Sequence, residues 1–172
     1  MTKRDTEIVR FVMNMKFASV TEIHQKFFKF KKDGEVSESE WWARERLRKL
    51  IDAGYLKSVK FRFESKNFYI GTKLGFKLAS ADKSQYTSKP TAGIDIRTFE
   101  HDYKVLQCRM LLEENEKVTN WQSDRELKEL YFETSFHFRS RENSPDGVYK
   151  TTDGRSIAFE YEIAQKSEER IK

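Results

Sequence analysis

The chain has 172 residues, 37% hydrophobic, 14% aromatic and 35% charged, with mean hydropathy −0.81 and a net charge of +5. No apolar run approaches the ~18 residues that span a bilayer, the opening MTKRDTEIVRF lacks a signal-peptide core, and a single cysteine, Cys108, excludes an internal disulfide framework. His24, His101 and His137 are too scattered for zinc-ligand spacing, so a soluble cytoplasmic protein of one medium or two small domains is expected.

Charge divides the chain. Residues 1–80 hold 18 Lys and Arg against 10 Asp and Glu, a net of +8, while residues 81–172 hold 15 against 18, a net of −3. A basic half joined to a mildly acidic one points to a polyanion partner for the first; a merely solvated basic surface is the plain alternative. In chain order, RDTEIVRFVMNM sets Ile8, Phe11, Val12 and Met15 at helical spacing. In SVTEIHQKFF, Ser19 or Thr21 can cap a short helix whose Ile23 and Phe27 share a face. KFKKDGEV reads as a loop. SESEWWARERLRKLIDAGYL predicts a helix from about Glu38 to Ala53, with Ala43, Leu47, Leu50 and Ile51 inward and Gly54 at its C-terminal cap. LKSVKFRF and NFYIG alternate as a hairpin, and TKLGFKLAS closes the unit as a short helix.

SADKSQYTSKPTAG, residues 80–93, is polar and lacks apolar periodicity; residues 81–97 are expected to be a linker. Each flanking part is near the lower size limit for folding alone, so packing of the two or dimerisation is expected. TFEHDYKVLQCRMLLEEN predicts an amphipathic helix with Phe99, Tyr103, Leu106, Met110 and, at its margin, Leu111 inward. KVTNW is a strand, and QSDRELKEL a helix in which Ser123 and Glu126 form a capping box. FETSFHFRSRENS reads equally as strand or loop. DGVYKTT and SIAFEYEI form a hairpin about Asp153-Gly154, and AQKSEERIK begins a helix.

Three helices followed by a hairpin is the order of a winged helix-turn-helix. The stretch from Arg44 to Ala79 resembles that family through its RLxxLxxxGYL run and the TxxG that follows the second strand. On that reading Trp41, Arg44 and Arg48 present outward for a major groove, where Arg meets guanine edges. Lys57, Lys60, Arg62 and Lys66 decorate the wing, where they would meet phosphates. The alternative is that the arginines pair with Glu45 and Asp52 on a solvated face.

In the second half, Asp146 precedes one hairpin strand, and Glu160 and Glu162 end the next on a common face. Helix, strand, hairpin and helix with this PDG…FEYE spacing resembles the restriction-endonuclease-like (PD-(D/E)xK) core. The resemblance implies Mg²⁺ ligation by Asp146 and Glu160, with Glu162 as a further ligand, and catalysis by Asp146, Glu160 and a displaced lysine, Lys166. Glu162 stands where that family has its lysine, which argues against cleavage. A turn-forming Asp146 and an acidic strand face are the structural alternative.

EHDYKV, Trp121-x-Ser123-Asp124 and PDG…FEYE together make the chain similar to the replication-relaxation family of plasmid and mobile-element proteins. That resemblance implies an α+β chain: a winged helix over residues 1–80 and a small, degenerate α/β nuclease-like domain over residues 98–172. It further implies duplex DNA binding in replication, mobilisation or transcriptional control, in a bacterial cytoplasm near the nucleoid, as a homodimer. A metal-dependent endonuclease is the alternative.

Overall fold

The structure, a computed structural model, describes residues 1–30, 34–62, 64–115, 118–134 and 144–163. Among them are six helices and two three-stranded antiparallel sheets, so the chain is mixed α+β.

Helix α1 (Lys3–Asn14) starts at a capping box in which Thr2 and Asp5 exchange backbone and side-chain bonds. Its apolar positions go inward as the spacing requires, but Ile8 through Asn14 are all buried, because α1 is surrounded on every side. Its polar stripe is therefore bonded instead of solvated. Arg10 donates to Thr87 Oγ1 (3.1 Å), Gln85 Oε1 (2.6 Å) and the Ala79 carbonyl (2.8 Å). Asn14 accepts from the Ser88 amide at 2.8 Å and donates to the Tyr86 carbonyl. Residues 81–97 carry no helix or strand, as a connection should, yet α1 fastens them down.

Strand β1 (Ala18–Ser19) leads into α2 (Val20–Phe27), capped by Ser19 with Glu22 accepting from the Ser19 amide at 2.8 Å. Helix α3 (Trp41–Asp52) begins about a turn later than its periodicity suggests: its N-cap is Glu40, which makes no side-chain cap bond, and Ser39 Oγ accepts from the Trp41 amide at 3.3 Å. Ala43, Leu47 and Leu50 are buried and Ile51 half-buried. Gly54, at φ +76°, ends it: the Gly54 amide donates to Ile51 and the Tyr55 amide to Leu50, the paired bonds of a Schellman motif.

Strands β2 (Leu56–Lys60) and β3 (Asn67–Gly71) form the expected hairpin, and β1 adds a third strand on β3, with Ala18 opposite Tyr69. Helix α4 (Lys73–Ala79) caps with Thr72. Gly75 admits no side chain: a Cβ there would strike the Tyr55 carbonyl and Val9.

Helix α5 (Phe99–Glu114) turns Phe99, Tyr103, Leu106 and Met110 inward; Leu111, expected at the margin, is 59% exposed because α5 is covered on one side only. Strand β4 (Val118–Ser123), with a bulge between Thr119 and Gln122, runs directly into α6 (Asp124–Thr134). Ser123 and Glu126 make the expected capping box, at 2.7 Å from the Ser123 amide. Strands β5 (Gly147–Thr151) and β6 (Ser156–Phe159) complete the order β4-β5-β6 around the Asp153-Gly154 turn. Trp121 packs on Tyr149 and Phe159 and covers Gly147, where a Cβ would meet its indole ring.

The halves share one core. Phe99 of α5 stacks on Phe61 (3.9 Å) and Phe17 (5.3 Å) and meets Phe68 edge to face. Such aromatic pairs add about 0.5–1.5 kcal/mol each beyond area burial. Two parts each too small for a full core thus bury their apolar faces against each other.

Candidate nucleic-acid interface and the Asp146 cluster

The outward stripe of α3 carries Trp41, Arg44 and Arg48, with Trp42 and Lys49 beside it. Both arginine side chains are 62% exposed. Arg44 pairs with Glu40 at 2.6 Å, Arg48 with Glu45 at 2.8 Å and Asp52 at 3.4 Å, and Lys49 with Glu45 at 3.5 Å. The hydrogen bond from Arg48 holds the Glu45 carboxyl below its ordinary pKa. Every one of these pairs lies within one helix or its N-cap, in solvent. Exposed pairs of this kind are worth about 0–1 kcal/mol, so an incoming phosphate can replace them at little cost. Arg46, between them in sequence, faces the other way: its guanidinium bonds both carboxylate oxygens of the fully buried Asp5 and ties α3 to α1.

The hairpin cations separate in the same manner. Lys60 is exposed in the rung next to the hairpin turn, opposite Asn67, and Arg62 is exposed in the turn itself. Lys57 is exposed and donates to the Ala92 carbonyl at 3.1 Å. Lys66 turns away from a wing position: its Nζ bonds the Tyr103 hydroxyl and lies over the Phe68 and Tyr103 rings. Burial opposes its charge, but Tyr103 and Glu22 outweigh burial and its pKa is raised. Tyr103 also donates to Glu22 at 3.2 Å, so Lys66 belongs to the joint between halves.

Asp146 lies one residue before β5, and Glu160 one residue after β6, each a step beyond the rung Gly147–Phe159. Asp146 Oδ2 accepts from the Tyr161 amide at 2.8 Å and lies 3.1 Å from His101 Nε2. Glu160 and Glu162 are exposed. Among the described residues no group of three His, Cys, Asp or Glu side chains is placed to hold a metal ion, so Asp146, Glu160 and Glu162 do not form one. The reason is local: the Asp146 carboxylate is turned onto Tyr161 and α5. Lys166, and the helix expected around it, lie outside the described residues.

Around Asp146 the tertiary structure gathers residues that spacing did not single out. Lys16, which holds φ +70°, bonds Asp102 at 2.5 Å and lies 3.9 Å from Asp124. His101 Nδ1 is 3.6 Å from Asp102, so the imidazole stands between two carboxylates. These side chains line a small concavity between the halves. Their sequence signal was the EHD of EHDYKV, adjacent on α5; nothing local tied it to Lys16 or Asp146.

A wider cleft of about 270 Å³ opens between α1, α2, α5 and β4. Arg109 lies over the Phe11 and Trp121 rings, and Arg109 and Lys26 both bond Glu113, at 2.9 and 2.5 Å. Burial and Arg109 lower the Lys26 pKa. Burial alone would raise that of Glu113, but Arg109 and Lys26 reverse it. Its cations are thus already engaged in holding the halves together. No helix of the described residues is long and apolar enough to cross a membrane. No family model, no curated protein and no solved structure matches this chain.

Proposed function

We propose that the chain binds DNA through α3 and the β2–β3 hairpin, as a winged helix-turn-helix does. The observation that carries this reading is the outer face of α3. It presents Trp41, Arg44, Arg48 and Lys49 to solvent, with its cations held only by exposed pairs along one helix. Lys60 and Arg62 add exposed cations at the hairpin end, where a wing meets phosphates. The second half, on this reading, is a degenerate nuclease-like domain that serves assembly or a second contact. Support comes from Asp146, whose carboxylate holds the Tyr161 amide across the hairpin. The likeness of EHDYKV and PDG…FEYE to the replication-relaxation family supports reading this activity as part of the replication, mobilisation or control of an extrachromosomal element.

The test is fluorescence anisotropy on labelled DNA across a salt series. Binding should weaken linearly in log–log form, with a slope of about −0.9 per phosphate contacted. Arg44→Ala with Arg48→Ala should weaken it by about 30-fold or more, two lost contacts at ~1–3 kcal/mol each. Tight, salt-insensitive binding by that double variant would remove α3 from the interface. Nicking of supercoiled plasmid in Mn²⁺ that Asp146→Ala abolishes would instead establish the endonuclease alternative.

A further inference from the structure

Trp41 and Trp42 occupy successive positions in the first turn of α3, which a helix directs about 100° apart. They are 56% and 61% exposed, while Ala43 and Leu47 meet the core. The third tryptophan, Trp121, is 6% exposed, so indole burial is available in this fold and withheld from this pair. The two rings meet edge to face, with centroids 4.4 Å apart and planes at 81°. An edge of one ring thus rests on a face of the other, and with more than half of each residue exposed, aromatic surface remains open to solvent. Glu40, at the cap of α3, also accepts from Thr21 Oγ1 at 2.8 Å, which anchors this turn to α2.

The surroundings decide what such a surface fits. Arg44 and Arg48 follow Trp41 at i+3 and i+7 along one stripe, and Lys49 follows Trp42 at i+7. Tryptophan and arginine suit a protein or a nucleic-acid partner alike, but Lys, Glu and Asp are depleted at protein interfaces, and Lys49, Glu45 and Asp52 stand on this same helix. A closed duplex offers base edges in its grooves, not base faces. Unpaired bases offer faces, with a phosphate every nucleotide beside them. We propose that the nucleic acid bound at α3 has unpaired bases, as single-stranded or locally opened DNA, and that these stack on Trp41 and Trp42. Arg44, Arg48 and Lys49 take the adjoining phosphates. The inference rests on the DNA-binding reading above and narrows its substrate; it adds Trp42 to the site.

The experiment compares three labelled ligands with the full chain: a duplex, its separate strands, and the same duplex with a central mismatched bubble. Anisotropy gives affinity, and tryptophan emission reports stacking, with buried Trp121 as the constant background. The bubble and the single strands should bind about a hundredfold more tightly than the closed duplex, about tenfold for each stacked base. Trp41→Ala and Trp42→Ala should each remove about tenfold of that preference, and Trp42→Phe should recover part of it. Both side chains are exposed, so an unchanged urea midpoint confirms that the variants fold. Equal affinity for duplex and bubble, or alanine variants that bind the bubble normally, overturns the stacking role and leaves DNA binding intact. Failure to bind any of the three overturns both readings. Loss of a wild-type dimer in the Trp variants, with no preference for unpaired bases, assigns the surface to a second copy and also overturns the proposal.

Discussion

Arg44 and Arg46 stand two residues apart on α3 and belong to different worlds. Arg44 is in solvent, paired with Glu40 one turn back. Arg46 crosses to α1 and closes on Asp5, which has no exposed surface. The same division runs through the molecule. The outer face of α3 carries cations bound only to their own helix, whereas the seam between halves uses Arg10, Lys16, Lys26, Arg109 and Arg125 to hold segments distant in sequence. Arg125, for example, donates to the Met13 carbonyl at 2.6 Å, a residue 112 positions away. A net charge of +5 therefore overstates the surface open to a polyanion. Cations committed to the seam are structural cement, and those on α3 can be redirected.

The largest expected effect that would break this comparison comes from Asp5. Asp5→Asn leaves the Arg46 guanidinium without its countercharge and should cost about 3 kcal/mol, read from the urea midpoint. Glu45→Gln removes a partner of Arg48 on the solvent face and should leave the urea midpoint unchanged. Equal losses from the two would erase the distinction between seam and surface.

The tryptophans sharpen it at intermediate scale. Gly147→Ala inserts a methyl group against the Trp121 ring and should cost about 2 kcal/mol with a changed near-ultraviolet signal. A neutral outcome would show that Trp121 is not the packed counterpart of the exposed pair on α3.

The smallest effects are protonic and opposite in sign. The Glu113 pKa is depressed below 4.5: burial favours the proton, but Arg109 and Lys26 outweigh it. Its contribution to stability is thus present above pH 4.5 and lost as pH falls through the lower folded value. Burial raises Glu126 above 4.5 despite its bonds from Ser123, so its contribution is present below pH 4.5 and lost as pH rises through the higher folded value. Urea midpoints taken across this range should fall less on acidification in Glu113→Gln. In Glu126→Gln they should gain on approach to neutrality. The reverse pattern would mean that the seam does not pair Glu113 with its cations.

Much of the architecture was legible because it rests on neighbours. Ser19 with Glu22, Ser123 with Glu126, Gly54 after α3 and the Asp153-Gly154 turn each involve groups within a few residues, where backbone geometry alone decides the outcome. The pairing of β2 with β3 and the inward stripe of α5 were equally readable, but the expected alternation was not found: β3 lies between β1 and β2 and is buried from Phe68 to Gly71. The site was legible in part. Exposure of Trp41, Arg44 and Arg48 followed from the burial of Leu47 and Leu50, but Lys66 was placed on the wing and joins Tyr103 instead, 37 residues away.

The amino-acid sequence by itself determined the helices, turns and caps, because their bonds close over three to five residues, and it determined the basic character of the first half. The tertiary structure alone decided which charges are spent inside. The partners of Arg10, Arg46, Lys16 and Asp146 lie 77, 41, 86 and 45 residues away. No periodicity encodes a contact at that range; only the docking of α5 and the second sheet against α1 and α2 brings those groups within bonding distance.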